Sequence, residues 1–264
     1  MTRTLPMRHA LTPAQLSDYD AQGYLILRRL FDAAEVAELA TEADGLRCCA
    51  DLVVPGNLRV RWMDHVDTGA KLFEVFDPIV DVAPVSARRA ADRRTLDALA
   101  SIYGEEACLF KDKLIFKPPG ARGYGLHQDY IAWPGFPKTF VTVVVAIDPF
   151  DAASGGTEVF PGRYKGGYLG PPDGSYHEIP ADRFSPGEAV ILDLNPGDMA
   201  VFGCLTPHRS APNRSGSMRR GLFLSYNACS DGGDQRAAHY AAFHDYLRRY
   251  APQRGQDPAT LFFR

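Results

Sequence analysis

Residues 140–147 read FVTVVVAI and form the longest apolar run of the chain. The run has the length of one β-strand and falls well short of the roughly 20 residues that a membrane-spanning helix needs. Shorter β-rich runs, separated by Gly, Pro and Asp turns, lie on both sides of it at residues 109–116, 158–160, 189–192, 199–202 and 221–226. This spacing predicts an antiparallel sandwich or barrel.

Helical patterns precede these strands. Thr12-Pro13 offers a helix start, Asp32 and Glu35 form a capping-box pattern, and residues 86–103 have helical periodicity. Residues 23–27 predict a short strand, and residues 51–71 predict a polar loop that is a candidate lid. We therefore expect a mainly β fold with flanking helices around a double-stranded β-helix core, a cupin-like jelly roll.

One domain over residues 1–264 is the expected organisation, because β-barrels and sandwiches often reach this length as one unit. Its parts would be a helical segment to about residue 105, a jelly-roll core over about 106–230 and a C-terminal helix over about 235–250.

Composition argues against several classes of partner. The 264 residues carry a net charge of −3 and include no basic block, so we expect no nucleic-acid partner. The N-terminus has no apolar run of signal-peptide length, and we expect a cytoplasmic monomer or homodimer with no membrane association. The five cysteines are irregularly spaced, which favours reduced thiols over a disulfide framework. Cys48-Cys49 is either a redox pair or two small side chains.

The tetrapeptide Leu126-His127-Gln128-Asp129 contains a candidate metal-binding pair. On a strand, side chains at i and i+2 point to the same face, so His127 and Asp129 can reach one ion. An imidazole and a carboxylate are two of the three ligands in the facial triad of non-haem Fe(II) oxygenases. A lone H-x-D triplet is nevertheless common by chance, and the triad needs a second imidazole.

His208 is the best candidate for that third ligand. It follows the turn Asn195-Pro196-Gly197-Asp198 and a predicted strand, and a jelly roll brings such distant strands side by side. Taken alone, His208 would more often be a surface or structural histidine. His239 and His244 are five residues apart on a predicted helix, a spacing that favours a polar surface over a metal site.

Beyond His208 the chain resembles the phytanoyl-CoA dioxygenase family of Fe(II)/2-oxoglutarate oxygenases. The family pattern is H-x-D followed much later by H-x-S-x-x-N-x-[ST], with an arginine eleven residues after the second histidine, where Arg219 stands here. The segments Gly23-Tyr24-Leu25, residues 116–120 and residues 155–162 also resemble the family, so the resemblance extends over roughly residues 12–227. Arg163-Tyr164 departs from it, because many members have Ser/Thr-His at that place.

The resemblance implies catalysis at an Fe(II) ion held by His127, Asp129 and His208, with 2-oxoglutarate and O₂ as cosubstrates and succinate and CO₂ as products. Arg219 would bind the distal carboxylate of 2-oxoglutarate, since a guanidinium suits bidentate recognition. The next residue, Arg220, would face the opposite way on a strand and contact solvent. Ser210 would donate to the same carboxylate, or else bond its own backbone. Lys113 would line the cosubstrate pocket, or else point outward.

Substrate determinants are weakly encoded. Tyr130 and Trp133 follow the metal pair and would wall the mouth, although ordinary barrel packing is the alternative. Tyr124 and Arg163 are further candidates, with solvated surface charge as the alternative for the arginine. The carboxylate of Asp129 favours hydroxylation over halogenation, of a small substrate such as an anionic, amino-acid-like or secondary-metabolite molecule. A cupin-like metalloenzyme with non-redox chemistry and a non-catalytic ligand-binding protein stay open.

Overall fold

A computed structural model describes residues 9–133, 135–173 and 176–264. Its five α-helices and eleven β-strands, within those residues, are α1 Pro13–Gln22, β1 Tyr24–Leu27, α2 Ala33–Arg47, β2 Val60–Asp64, β3 Lys71–Phe76, α3 Pro84–Ala90, α4 Arg93–Tyr103, β4 Ala107–Lys117, β5 Tyr124–His127, β6 Val141–Ala146, β7 Thr157–Val159, β8 Val190–Ile191, β9 Met199–Gly203, β10 His208–Ser210, β11 Arg219–Ala228 and α5 Arg236–Tyr250.

The strands form two antiparallel sheets. A seven-stranded sheet has the order β1-β9-β6-β11-β4-β3-β2, and a four-stranded sheet has the order β5-β10-β7-β8. Strands from distant parts of the sequence are neighbours in both sheets, as the predicted jelly roll requires. The mainly β fold with flanking helices that we expected is therefore confirmed.

The larger sheet separates two apolar regions. Helices α2 and α4 pack against its outer face, where Leu39, Leu99 and Phe116 are almost fully buried in the main core. The inner face, which looks toward the smaller sheet, contributes Val144 and Ala200 to a second cluster. Burial on both faces explains why residues 140–147 read as a continuous apolar run rather than an alternating one.

Local signals fixed several element ends. Thr12 and Asp32 both close capping boxes, with Gln15 and Glu35 as their partners. Gly23 ends α1 in the left-handed conformation that glycine adopts without steric cost. These predicted helix starts and the strand over residues 24–27 are confirmed.

Three expectations were wrong. Residues 86–103 form two helices because Asp92 caps α4 by accepting a hydrogen bond from Arg94 N. The predicted polar loop over residues 51–71 contains β2, whose Val60 and Met63 are buried. The cysteines are not all reduced, since Cys108 and Cys229 form a disulfide between the paired ends of β4 and β11. Cys48, Cys49 and Cys204 are free thiols.

The histidines of α5 also differ from expectation. His244 is buried, and its ring lies 4.3 Å from that of Phe263, while His239 packs 4.4 Å from Phe110. Both rings belong to an aromatic layer between α5 and the body of the protein and not to a polar surface. Within the described residues, no helix is both long and apolar enough to cross a membrane.

Candidate metal centre and anion pocket

The two histidines of the predicted triad are direct partners across neighbouring strands. His127 ends β5 and His208 begins β10, and the register of these strands pairs them. Their ring centroids lie 4.1 Å apart. His208 thus begins a strand of its own, whereas the sequence placed it just beyond one.

Asp129 completes the triad from a loop. It lies two residues past the end of β5, so the expected strand geometry applies to His127 only. Its Oδ1 atom is 3.9 Å from His127 Nε2 and 3.8 Å from His208 Nε2, and the three ligand atoms all lie within 4.8 Å of one another. One ion can be reached from all three side chains, and imidazole and carboxylate donors suit a divalent transition metal.

Each ligand is held by a second hydrogen bond. His127 Nδ1 is 2.8 Å from the carbonyl oxygen of Gly125, and His208 Nδ1 is 3.0 Å from that of Thr206. Carbonyl acceptors require the proton on Nδ1 and leave Nε2 free to bind a metal. The Oγ1 hydroxyl of Thr142 donates to Asp129 Oδ2 over 2.6 Å, which leaves Oδ1 toward the histidines.

The electrostatics of the triad favour metal-ready protonation states. Burial and the neighbouring His208 lower the pKa of His127 to about 4. Burial acts to raise the pKa of Asp129, but the two imidazoles and Lys113 outweigh it and lower that pKa to about 2. At neutral pH, His127 is therefore a neutral ligand and Asp129 an anionic one.

Gln128, between the two ligands, points away from them. Its amide donates to the carbonyl oxygens of Gly167 and Leu205 and accepts from Leu169 N. The side chain thus fastens the ligand-bearing loop to two other loops.

Arg219 lies in a pocket without a counter-ion. The side chain is 2% exposed, and its Nε and Nη1 atoms have no hydrogen-bond partner among the described residues. The guanidinium stacks 4.2 Å above the Phe150 ring, and burial lowers the pKa of Arg219 to about 10. A buried guanidinium with free donors is expected to bind an anion. Arg220 points to the other side and pairs with Asp148 and Asp44, as the alternation predicted.

Ser210 lies beside this pocket. Its Oγ atom accepts hydrogen bonds from Lys117 Nζ over 2.9 Å and from Tyr124 N over 3.3 Å. With both acceptor positions filled, the hydroxyl proton is free to be donated to a bound anion.

Lys117, and not Lys113, is the lysine next to Arg219. The two residues are cross-strand partners on β4 and β11, and Lys117 Nζ also donates to the carbonyl oxygens of Gly155 and Ala211. In the sequence, Lys117 stands out only as part of the segment 116–120 that resembles the family. The period-2 pattern of β4 puts Lys113 and Lys117 on one face, so the pattern alone did not decide between them.

The remaining candidates for substrate contacts each have a partner within the protein. The Tyr124 hydroxyl donates to Glu74, and Tyr130 packs 5.2 Å from Tyr168 and 5.9 Å from Phe136. Trp133 is 6.4 Å from Tyr246 on α5. Arg163 is half exposed and ion-paired with Glu188. Its charge is already neutralised, so the structure gives no support for its proposed contact with substrate.

Two residues near the triad escaped the sequence reasoning. Thr142 lies within the apolar run 140–147, where nothing marked it as a partner of Asp129. Tyr176 lies 49 residues after His127 in the sequence, yet its ring centroid is 5.2 Å from that of His127. Neither residue belongs to a motif with readable spacing.

Comparisons with known proteins agree with this geometry. The sequence model of the phytanoyl-CoA dioxygenase family matches residues 19–221. The methylphosphonate hydroxylase of Gimesia maris is 28% identical over 89% of this chain and 87% of its own length. A 2-aminoethylphosphonate dioxygenase from an uncultured bacterium is also 28% identical, over 73% of each chain.

Among solved structures, EctD from S. alaskensis with 2-oxoglutarate and 5-hydroxyectoine superposes with a TM-score of 0.68. It is 23% identical, and the match covers 89% of this chain and 84% of that one, which shows a shared fold. Together with the match of the family model over most of the sequence, the converging His-Asp-His triad identifies this chain as a member of the phytanoyl-CoA dioxygenase family, enzymes that use Fe(II), 2-oxoglutarate and O₂.

Proposed function

We propose that the protein hydroxylates a C–H bond of a small organic substrate, with one O₂ and one 2-oxoglutarate consumed and one succinate and one CO₂ released per alcohol formed. The observation that carries the proposal is the pairing of two sites between the two sheets, where Lys117 of the larger sheet donates to Ser210 of the smaller one. A triad fit for a divalent metal lies near a buried guanidinium that lacks an anion.

In this proposal His127, Asp129 and His208 hold the iron. Three protein ligands leave positions for a bidentate cosubstrate and for O₂. When bound, the iron supplies the oxidative chemistry, and the chain supplies binding, orientation and exclusion of water.

Arg219 and Ser210 would bind the distal carboxylate of 2-oxoglutarate. The orphaned Nε and Nη1 atoms offer two donors, and the Ser210 hydroxyl offers a third. Lys117 would act through Ser210, because its ammonium group already donates to protein oxygens. Since these contacts replace water lost on burial, the cosubstrate would relieve the cost of burying the Arg219 charge.

The test is succinate formation by the purified protein with Fe(II), ascorbate and 2-oxoglutarate. His127→Ala and Asp129→Ala should abolish it. Arg219→Ala should raise the KM for 2-oxoglutarate by on the order of a hundredfold, since two charge-assisted hydrogen bonds are lost. Arg220→Ala is the matched control, because the guanidinium of Arg220 faces the opposite side of the sheet from that of Arg219. The KM of this variant for 2-oxoglutarate should stay near that of the wild type.

The same assay separates the alternatives. A non-redox metalloenzyme on this scaffold, or a non-catalytic ligand-binding protein, would form no succinate. An unchanged KM in Arg219→Ala would show that the cosubstrate binds elsewhere.

A further inference from the structure

Two further lysines, Lys111 and Lys113, share the inner face of β4. Lys111 lies opposite Ser225 of β11, and Lys113 lies opposite Phe223. Residues two apart on a strand point the same way, so the two ammonium groups are neighbours. Ser225 in turn lies opposite Thr142, the residue that holds Asp129. The lysines therefore flank the metal-binding end of the sheet.

Neither lysine forms an ion pair in the part of the chain that the structure describes. Neither Nζ atom makes a hydrogen bond there, and Lys111 lies over the Phe243 ring at 5.5 Å. The nearby carboxylate of Asp77 is already occupied by Arg61 at 2.9 Å and by the Tyr240 hydroxyl at 2.7 Å. Burial and the adjacent Lys113 lower the pKa of Lys111 to about 7, against the opposing attraction of Asp77.

This pair is distinct from the pocket of Arg219. Lys113 and Lys117 are four residues apart, which corresponds to roughly 13 Å of strand. Arg219 lowers the pKa of Lys117, whereas Lys113 lowers the pKa values of Asp129 and His127. The inner face of the larger sheet thus has two separate cationic regions. One contains Lys117 and Arg219, and the other contains Lys111 and Lys113, of which Lys113 interacts electrostatically with the triad.

An apolar cavity of about 250 Å³ lies beside His239, the imidazole on which both lysines act electrostatically. Its described walls come from β4, from the loop after Asp129 and from α5, and they include Phe110, Trp133, Phe136 and Ala242. His239 also lines it, with a buried Nε2 atom that lacks a hydrogen-bond partner, and both lysines act on this imidazole. The cavity can hold a molecule of a few heavy atoms.

We propose that Lys111 and Lys113 form an oxyanion subsite for the organic substrate, which carries a phosphonate, phosphate or carboxylate group attached to a short apolar segment. The anionic group would bind the two ammonium groups, and the apolar segment would lie against the aromatic wall near the triad. This inference rests on the proposed function, because it names the class of molecule that the iron would oxidise.

Calorimetric titration of the Fe(II)- and 2-oxoglutarate-loaded protein without O₂ tests the subsite. The probes are methylphosphonate, methyl phosphate, propionate and, as an uncharged control, propanamide. At least one anion should bind the wild type, and Lys113→Met and Lys111→Met should each weaken it roughly tenfold, with a larger loss in the double variant. Lys71→Met is the control, since Lys71 is exposed and paired with Asp64, and it should bind as the wild type does.

The three anions also distinguish between a phosphonate, a phosphate and a carboxylate, since the probe that binds most tightly identifies the anionic group of the substrate. Absence of binding by all three anions, or equal binding of propanamide, would overturn the subsite. So would a tenfold rise in the KM for 2-oxoglutarate in Lys113→Met with anion binding unchanged, because Lys113 would then serve the cosubstrate. Succinate formation without added substrate should persist in Lys71→Met, and its absence in the wild type would instead refute the proposed function.

Discussion

Lys117 and Arg219 are cross-strand partners whose side chains are both buried. Lys117 meets three oxygen acceptors, whereas Arg219 leaves two nitrogen atoms without any. Two cations in such proximity disfavour each other's charge. An anion bound to Arg219 would therefore change the protonation of Lys117 as well.

Binding of 2-oxoglutarate should take up a proton. Burial and Arg219 lower the pKa of Lys117 to about 6, so Lys117 is largely neutral in the free protein at pH 8 and then donates only two of its three hydrogen bonds. A bound dianion raises that pKa, and the proton comes from the solvent. The uptake should be small below pH 6, where Lys117 is already charged, and should grow as the pH rises above it. Calorimetry in buffers of different ionisation enthalpy measures the proton count.

Lys117→Met provides the control for that measurement, because it removes the titrating group and leaves Arg219 in place. Its binding enthalpy should no longer depend on the buffer. Proton uptake that persisted in Lys117→Met would assign the effect to another group.

Thr142→Val should weaken metal binding. The variant keeps the shape of the side chain but removes the 2.6 Å hydrogen bond to Asp129 Oδ2, so the carboxylate loses its fixed orientation. Loss of such a partner typically costs 10–100-fold in metal affinity, and we expect a value in roughly that range. Titration with Co(II) under anaerobic conditions measures it. Thr142→Ser retains the hydroxyl and should bind nearly as well as the wild type; equal affinity in Thr142→Val would show that Thr142 has no part in orienting Asp129.

Gly155→Ala should damage the anion pocket. The φ angle of Gly155 is +66°, and a Cβ atom would lie 2.2 Å from the Ala211 carbonyl oxygen and 2.8 Å from Lys117 Nζ. The carbonyl oxygen belongs to backbone and cannot yield easily, so both the turn and Lys117 must shift. We expect destabilisation of about 1–3 kcal/mol and a raised KM for 2-oxoglutarate. Chemical denaturation and steady-state kinetics report the two effects.

Gly166→Ala is the matched control for this change, because nothing lies within 4 Å of a Cβ built there. It should leave both quantities nearly unaltered. A Gly155→Ala protein with wild-type kinetics would argue against a role of Lys117 in positioning Ser210.

Cys229→Ser should lower thermal stability. The disulfide with Cys108 joins residues 121 positions apart, and closing so long a loop restricts the unfolded chain. A cost of roughly 2–5 kcal/mol is typical for such a bond. In differential scanning calorimetry, reductant should lower the Tm of the wild type by the same amount as the Cys229→Ser substitution does. Cys48→Ser, which changes a free thiol, should have the Tm of the wild type. If reductant had no effect on the wild-type Tm, the bond would not form in solution.

The fold and the triad were both predictable because they depend on local signals that tertiary context reinforces. The apolar run 140–147 and the turn-separated strands indicated the β-sandwich, and His127, Asp129 and His208 stand in a recognisable pattern. Arg219 followed from the same pattern, and the alternation of β11 correctly assigned Arg220 to the other face.

What failed depends on contacts between segments far apart in sequence. Lys113 and Lys117 lie on the same face of one strand, and only the register of β11 shows which of them adjoins Arg219. The Cys108–Cys229 bond likewise follows from that register and not from cysteine spacing. The ion pair between Arg163 and Glu188 also joins segments that the sequence alone does not bring together, and the contact of Arg163 with substrate stays a prediction.

The pairing of His127 with His208 makes the iron sensitive to the alignment of β5 and β10. A slip of one residue between these strands would turn His208 to the opposite face and leave two ligands instead of three. An ion that binds only the correctly aligned form stabilises that form. Iron bound during folding would therefore shift the equilibrium toward the correct register of β10. Chains that mature without iron would lack this correction and would be expected to hold a larger misaligned fraction.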